Sequence, residues 1–154
     1  MSGSGPVTQP NNPQHMNQEL ADVLGQPVLE PQHHTDLGNA RRLVELHGED
    51  FRNCGRLDRI FFWMETRWVP DVPGRMYDFA ADVVHSLYTN AALLQGEAAT
   101  SPDLGADERQ ALAKQAEATS KWARQSENHA RLRAMVDLAR LQPEVQTEPN
   151  IWDS

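Results

Sequence analysis

The sequence predicts an α+β fold, mainly α, in which about four helices carry one small antiparallel β-hairpin or three-stranded sheet behind a disordered N-terminal tail. Three observations lead there. Apolar residues recur at helical spacing in three stretches after residue 35, and more thinly in a fourth. One intervening stretch, FRNCGRLDRIFFWMETRWVP, is dense in aromatic and β-favouring residues instead. The opening holds Pro6, Pro10, Pro13, Pro27 and Pro31 among Gly, Ser, Asn and Gln, with no Lys or Arg, a composition that cannot bury enough apolar area to offset the entropy of ordering. The expected division is a tail over 1–34, a helix-rich domain over 35–142 and a C-terminal tail over 143–154.

The first helix opens at Thr35-Asp36, where either side chain can cap the orphan amides, and Gly48 stops it. Leu37, Ala40, Leu43, Val44 and Leu46 or His47 form its apolar stripe, which leaves Arg41, Arg42 and Glu45 toward solvent or a flank. Arg59 to Trp63 and Arg67 to Val69 then read as the two strands of a hairpin around Met64-Glu65-Thr66, with residues 51–54 available as a third strand. An isolated hairpin is marginal in water, so this one must lie on the helices, and Trp63 and Trp68 are expected to pack on the helix that follows.

That helix runs from about Met76 to Leu94 after the Pro70-Asp71-Val72-Pro73-Gly74 breaker. Met76, Phe79, Ala80, Val83, Val84, Leu87 and Leu94 share its inner arc, with Asp78, Asp82 and His85 on the outer one. Asp82 and His85 at i, i+3 read as an ordinary polar face. Residues 95–105 are expected to be a polar loop, and Asp107-Glu108 to start a third helix through about Trp122. Ser126 can cap a last helix, with Leu132, Met135, Val136 and Ala139 on one stripe and Pro143 at its end.

Charge and motifs bound the chemistry. Lys and Arg number 14 against 22 Asp and Glu, a net charge of −8, which repels bulk nucleic acid, so any polyanion contact must be local. From Lys121 to Arg140 the balance reverses: Lys121, Arg124, Arg131, Arg133 and Arg140 face only Glu127 and Asp137. These five are the candidate nucleic-acid-binding residues, the alternative being ordinary solvated helix faces. No phosphate-binding Gly-rich loop, zinc-ligand cluster or nucleophile elbow occurs, so no catalytic residue, metal or cofactor is expected. Cys54 stands alone, which excludes an internal disulfide. His33 and His34 lack a third ligand and read as solvated. No stretch approaches the ~18 apolar residues of a membrane span, and the opening is not a signal peptide.

Three pieces in order carry a resemblance. Thr35-Asp36-Leu37-Gly38-Asn39-Ala40 with Arg42-Leu43-Val44 and His47-Gly48, then Phe62-Trp63 through Arg67-Trp68-Val69-Pro70-Asp71, then Lys121-Trp122-Ala123-Arg124-Gln125-Ser126 with Ala134 to Arg140, are similar to the N-terminal region that precedes the superfamily-three helicase motor of phage and plasmid primase-helicases. Where that family usually has an Asp-Gly turn between its aromatic strands, this sequence has Met64-Glu65. The resemblance implies a non-catalytic DNA-replication accessory module, cytoplasmic in a bacterial host cell, that helps position DNA or the motor. Its implied partners are single-stranded DNA and a helicase or primase subunit, with no membrane and no small-molecule substrate. The alternative is a protein-interaction or assembly module without direct nucleic-acid binding. Ile151 and Trp152, an apolar pair in a polar tail, are expected to dock back on their own domain.

Overall fold

The computed structural model describes residues 33–149. The expected N-terminal tail up to residue 32, and Ile151 and Trp152, lie outside the described residues. Four α-helices and a three-stranded antiparallel sheet form the described part: α1 (Asp36–His47), β1 (Phe51–Cys54), β2 (Arg59–Met64), β3 (Arg67–Pro70), α2 (Arg75–Thr100), α3 (Ala106–Ser126) and α4 (His129–Arg140), closed by a 3₁₀ turn at Pro143–Val145.

Helix α1 begins as its sequence requires. Thr35 is extended, and its hydroxyl accepts a hydrogen bond from the Gly38 N–H at 2.9 Å. Its inner face departs from the expected stripe: Asn39 and Arg42 are buried beside Ala40 and Leu43, while Leu37 is exposed. Arg42 was expected toward solvent or a flank; it is buried instead, and burial pulls its pKa down. The C-terminus of α1 is fastened through His47, whose ring lies 4.1 Å from that of Phe79. Its Nδ1 is 3.0 Å from Asp50 and its Nε2 is 2.8 Å from Asp82. Asp82 therefore pairs across to α1 rather than with His85 on its own helix.

The third strand exists, with order β1-β2-β3. Phe51 stands opposite Phe62, and Phe62 opposite Val69. Because successive side chains alternate between faces, this row forms one side of the sheet, and it packs on α2 through the Phe79 ring, 5.9 Å from Phe51 and 6.1 Å from Phe62. Trp63 and Trp68 pair with each other, 5.4 Å apart and edge-on. Both are one position out of step with the Phe62 row, so they face away from α2, contrary to the expected packing on that helix. The β2–β3 connection is tighter than expected, since Met64 belongs to β2 and only Glu65 and Thr66 remain between the strands. Glu65 takes φ 59°, and the Met64 carbonyl accepts from the Thr66 N–H at 2.6 Å, a three-residue turn that a side chain adopts under strain.

Helix α2 passes through the expected loop. It runs to Thr100, and its last carbonyls are satisfied from α3: the Arg109 guanidinium donates to Ala98 O at 2.8 Å and to Ser101 O at 2.5 Å. This extension builds a small second cluster of Leu94, Ala98, Leu112 and Ala116 between α2 and α3. Helix α3 also runs one turn beyond Trp122, so Ser126 is its last residue and not the cap of α4. Asn128 takes that role, its side chain accepting from the Ala130 N–H at 2.8 Å. The main core joins Ala40 and Leu43 of α1, Phe51 and Phe62 of the sheet, Met76 to Leu87 of α2, Trp122 and Ala123 of α3, and Met135 to Ala139 of α4. It also takes in Val145, fully buried, so packing continues into the expected C-terminal tail.

Candidate functional site

The first and third resembling pieces meet at a corner of α1, α3 and α4. Gly38 makes the approach possible: a Cβ there would lie 2.0 Å from the His33 carbonyl oxygen, so only glycine lets the incoming chain cross the first turn of α1 this closely. The next residue, Asn39, is 0% exposed and points to α3. Its Nδ2 donates to Ser126 Oγ at 2.9 Å, and its Oδ1 accepts from Trp122 Nε1 at 2.9 Å. A buried indole N–H and a buried amide both need partners, and here three residues spread over 87 positions satisfy one another.

Around this network the indole of Trp122 gathers further groups. The His34 ring stacks 6.1 Å from it, and the Arg131 guanidinium stands 5.1 Å from the ring centroid. His34 is exposed, as expected, and partial desolvation, followed by the nearby positive charge of Arg42, holds its pKa below the ordinary value. Arg131 Nη1 lies 3.2 Å from both carboxylate oxygens of Asp36. Beside it, Asp36, Arg124, Gln125, Asn128 and Arg131 line a shallow hollow at the start of α4.

The five candidate cations do not form one stripe. Arg124 and Arg131 share that hollow, and Lys121 joins Arg124 in the groove between α2 and α3, near Tyr88 and Glu117. The pKa of the Tyr88 hydroxyl is pushed up by desolvation and by Glu127, and Arg124 counters only part of the rise. Arg133 and Arg140 line a different groove, between the sheet and α4, together with Ile60, Tyr77 and Asp137. Arg140 is engaged there, its Nε 3.3 Å from Asn53 Oδ1 and its Nη2 3.6 Å from Asp58.

Sequence reasoning missed Asn39, Arg42 and Ser126 as parts of this corner. A signal existed for Asn39, which stands at i−4 from Leu43 and therefore on the same helical face; nothing local marked Trp122 as its partner. Among the described residues, no group of three or more His, Cys, Asp or Glu is placed to hold a metal ion, and no described helix is long and apolar enough to cross a membrane.

Comparison with curated proteins and with solved structures yields no match for either. The model of one family, D5 N terminal like, matches residues 40–154, a range that takes in most of α1, the whole sheet and all of α2, α3 and α4. The chain belongs to this family, the domain that precedes the helicase region in phage and plasmid primase-helicases.

Proposed function

We propose that the domain is a non-catalytic replication module that helps position single-stranded DNA for a helicase motor, with Lys121, Arg124 and Arg131 as its phosphate contacts. The observation that carries this reading is the convergence of Arg124 and Arg131 on one hollow at the N-terminus of α4. Two guanidiniums and the positive end of a helix dipole are the groups that a phosphate recognises. The indole under Arg131 and its ion pair to Asp36 hold that guanidinium in place. Arg133 and Arg140 sit in the other groove, and Arg140 is engaged with Asn53 and Asp58, so they are secondary at most.

The test is titration of fluorescent single-stranded DNA across a salt series. Three phosphate contacts correspond to a slope of log affinity against log salt of about −2 for a single strand. The expected result is weak binding at roughly 20 mM salt, where screening is least, that fades steeply above it. Absence of binding by the unaltered chain at that salt would overturn this reading.

A second reading, an assembly module that contacts a helicase or primase subunit without touching DNA, is favoured by the net charge of −8 and by the ion pairs that already occupy Arg131 and Arg140. It expects capture of a replication subunit by a chain that fails the titration.

A further inference from the structure

A groove runs between α2 and α3, and the helical repeat accounts for its walls. Tyr88, Ala91 and Ala92 line it from α2, and Ala113, Ala116 and Lys121 line it from α3. On each helix these positions are three, four or eight residues apart, so each set lies on one face. Small side chains at the facing positions leave space between the helices, about 780 Å³, within the ~300–1,000 Å³ of small-molecule sites. Its floor is apolar and sealed, with Ala91 6% and Ala116 3% exposed. Ala92 on the wall stays exposed.

Charge is divided along the groove. At one end Arg124 meets the Tyr88 hydroxyl, and Lys121 stands one helical turn away on the same wall. Arg124 also lines the hollow at the start of α4, so groove and hollow share a cation. Glu117 comes four residues before Lys121, toward the other end, among the alanines. A phosphate placed there would meet a carboxylate, whereas a neutral base would not. Gln95 and Ser120 add an amide and a hydroxyl to the walls, groups that pair with base edges.

We infer that this groove takes the unpaired bases of the strand whose phosphates sit on Lys121, Arg124 and Arg131. This rests on the proposed role in positioning single-stranded DNA and adds the seat of the bases: phosphates at the cationic end, bases turned in along the alanines. Tyr88 supplies an aromatic ring at the point where the strand enters, and bases of any sequence stack on such a ring. Single strands leave their bases free to turn outward. In a duplex the bases face each other, so the groove distinguishes the two forms without reading sequence.

Anisotropy of the full chain at roughly 20 mM salt compares labelled oligothymidylate with an abasic deoxyribose-phosphate strand of equal length. Stacking of one base corresponds to about tenfold in affinity, so the base-bearing strand is expected to bind about tenfold more tightly. Because both strands carry the same phosphates, that ratio should hold as salt rises although both affinities fall. Ala92→Leu with Ala113→Leu fills the groove with good helix formers and leaves Lys121 and Arg124 in place. This variant is expected to bind the abasic strand as the parent does and oligothymidylate no better. Equal affinity of the parent for the two strands would overturn the inference and leave the phosphate contacts standing, and so would a variant that keeps the tenfold preference. No binding of either strand by the parent would overturn both. Independently of any variant, a photoreactive 5-iodouracil strand must label the unaltered chain within residues 88–95 or 113–124, and labelling confined to other segments would overturn the inference even if the variant failed to fold.

Discussion

The helical corner and the sheet are fixed in opposite ways. At the corner, a buried amide, an indole N–H and a hydroxyl from α1 and α3 satisfy one another, so position is set by directional bonds that few other arrangements could meet. In the sheet, position is set by register and by burial of Phe51 and Phe62 against Phe79, forces that favour contact without requiring a particular partner atom. A polar network of this kind is costly when half-satisfied, whereas an apolar face loses stability roughly in proportion to the area removed. The corner should therefore tolerate change poorly, and the sheet should tolerate it at exposed positions such as Trp63.

Removing the indole at the corner should have the largest effect. Trp122→Ala is expected to cost on the order of 3–5 kcal/mol in urea melts, as for other buried aromatics, and Phe62→Ala on the helix-facing side of the sheet should fall in the same range. Next comes Asn39→Ala, expected to cost about 1–3 kcal/mol because it strands the buried Trp122 N–H. Ser126→Ala in the same background should then add less than it does alone, a coupling that a double-mutant cycle reads directly. Full additivity would mean that the three groups do not act as a unit.

Smaller effects sharpen the contrast. Trp63, 40% exposed, should cost about 1 kcal/mol or less on replacement by Ala, the scale of an edge-on aromatic pair. A loss as large as that of Phe62→Ala would place it in a core. Glu65→Gly should stabilise by roughly 0.5–1 kcal/mol, since glycine adopts the positive φ of this turn without a Cβ clash. Smallest is a pH effect at the corner. The pKa of His34 is lowered in the fold, so the unfolded chain takes up its proton first as pH falls. Stability should be unaffected by His34 above its ordinary value of 6.5, decline as pH falls below that value, and level off once the folded state is also protonated. His34→Gln should remove this part of the slope in melts across pH 5 to 7.5.

Much of this architecture was legible in the sequence because local rules dominate there. Thr35 caps, the Phe51 to Val69 stretch forms strands, and the Met76 to Leu87 arc is core, each dictated by neighbours within a few residues. What was not legible depended on distant partners. The two extra turns of α2 rest on Arg109 reaching back to its carbonyls, and the polar run after Leu94 gave no sign of that donor. Ser126 looked like a cap because hydroxyls favour that role, but a buried amide 87 residues away claims it. Trp63 and Trp68 were assigned to the helix side on hydrophobicity alone, and a register offset of one residue reverses the face. The candidate cations were read as one stripe because sequence proximity does not reveal that Arg133 and Arg140 enter a different groove.

That split allows the most direct test of the proposed role. Fluorescence anisotropy of labelled single-stranded DNA at roughly 20 mM salt should be measured for the unaltered chain and for two double reversals, Lys121→Glu with Arg124→Glu and Arg133→Glu with Arg140→Glu. The expected result is that the first pair abolishes binding and the second leaves it within a small factor of the parent, with circular dichroism unchanged in both. Equal loss from the two pairs would mean that only net charge matters, and no binding by the unaltered chain would contradict the proposed role itself.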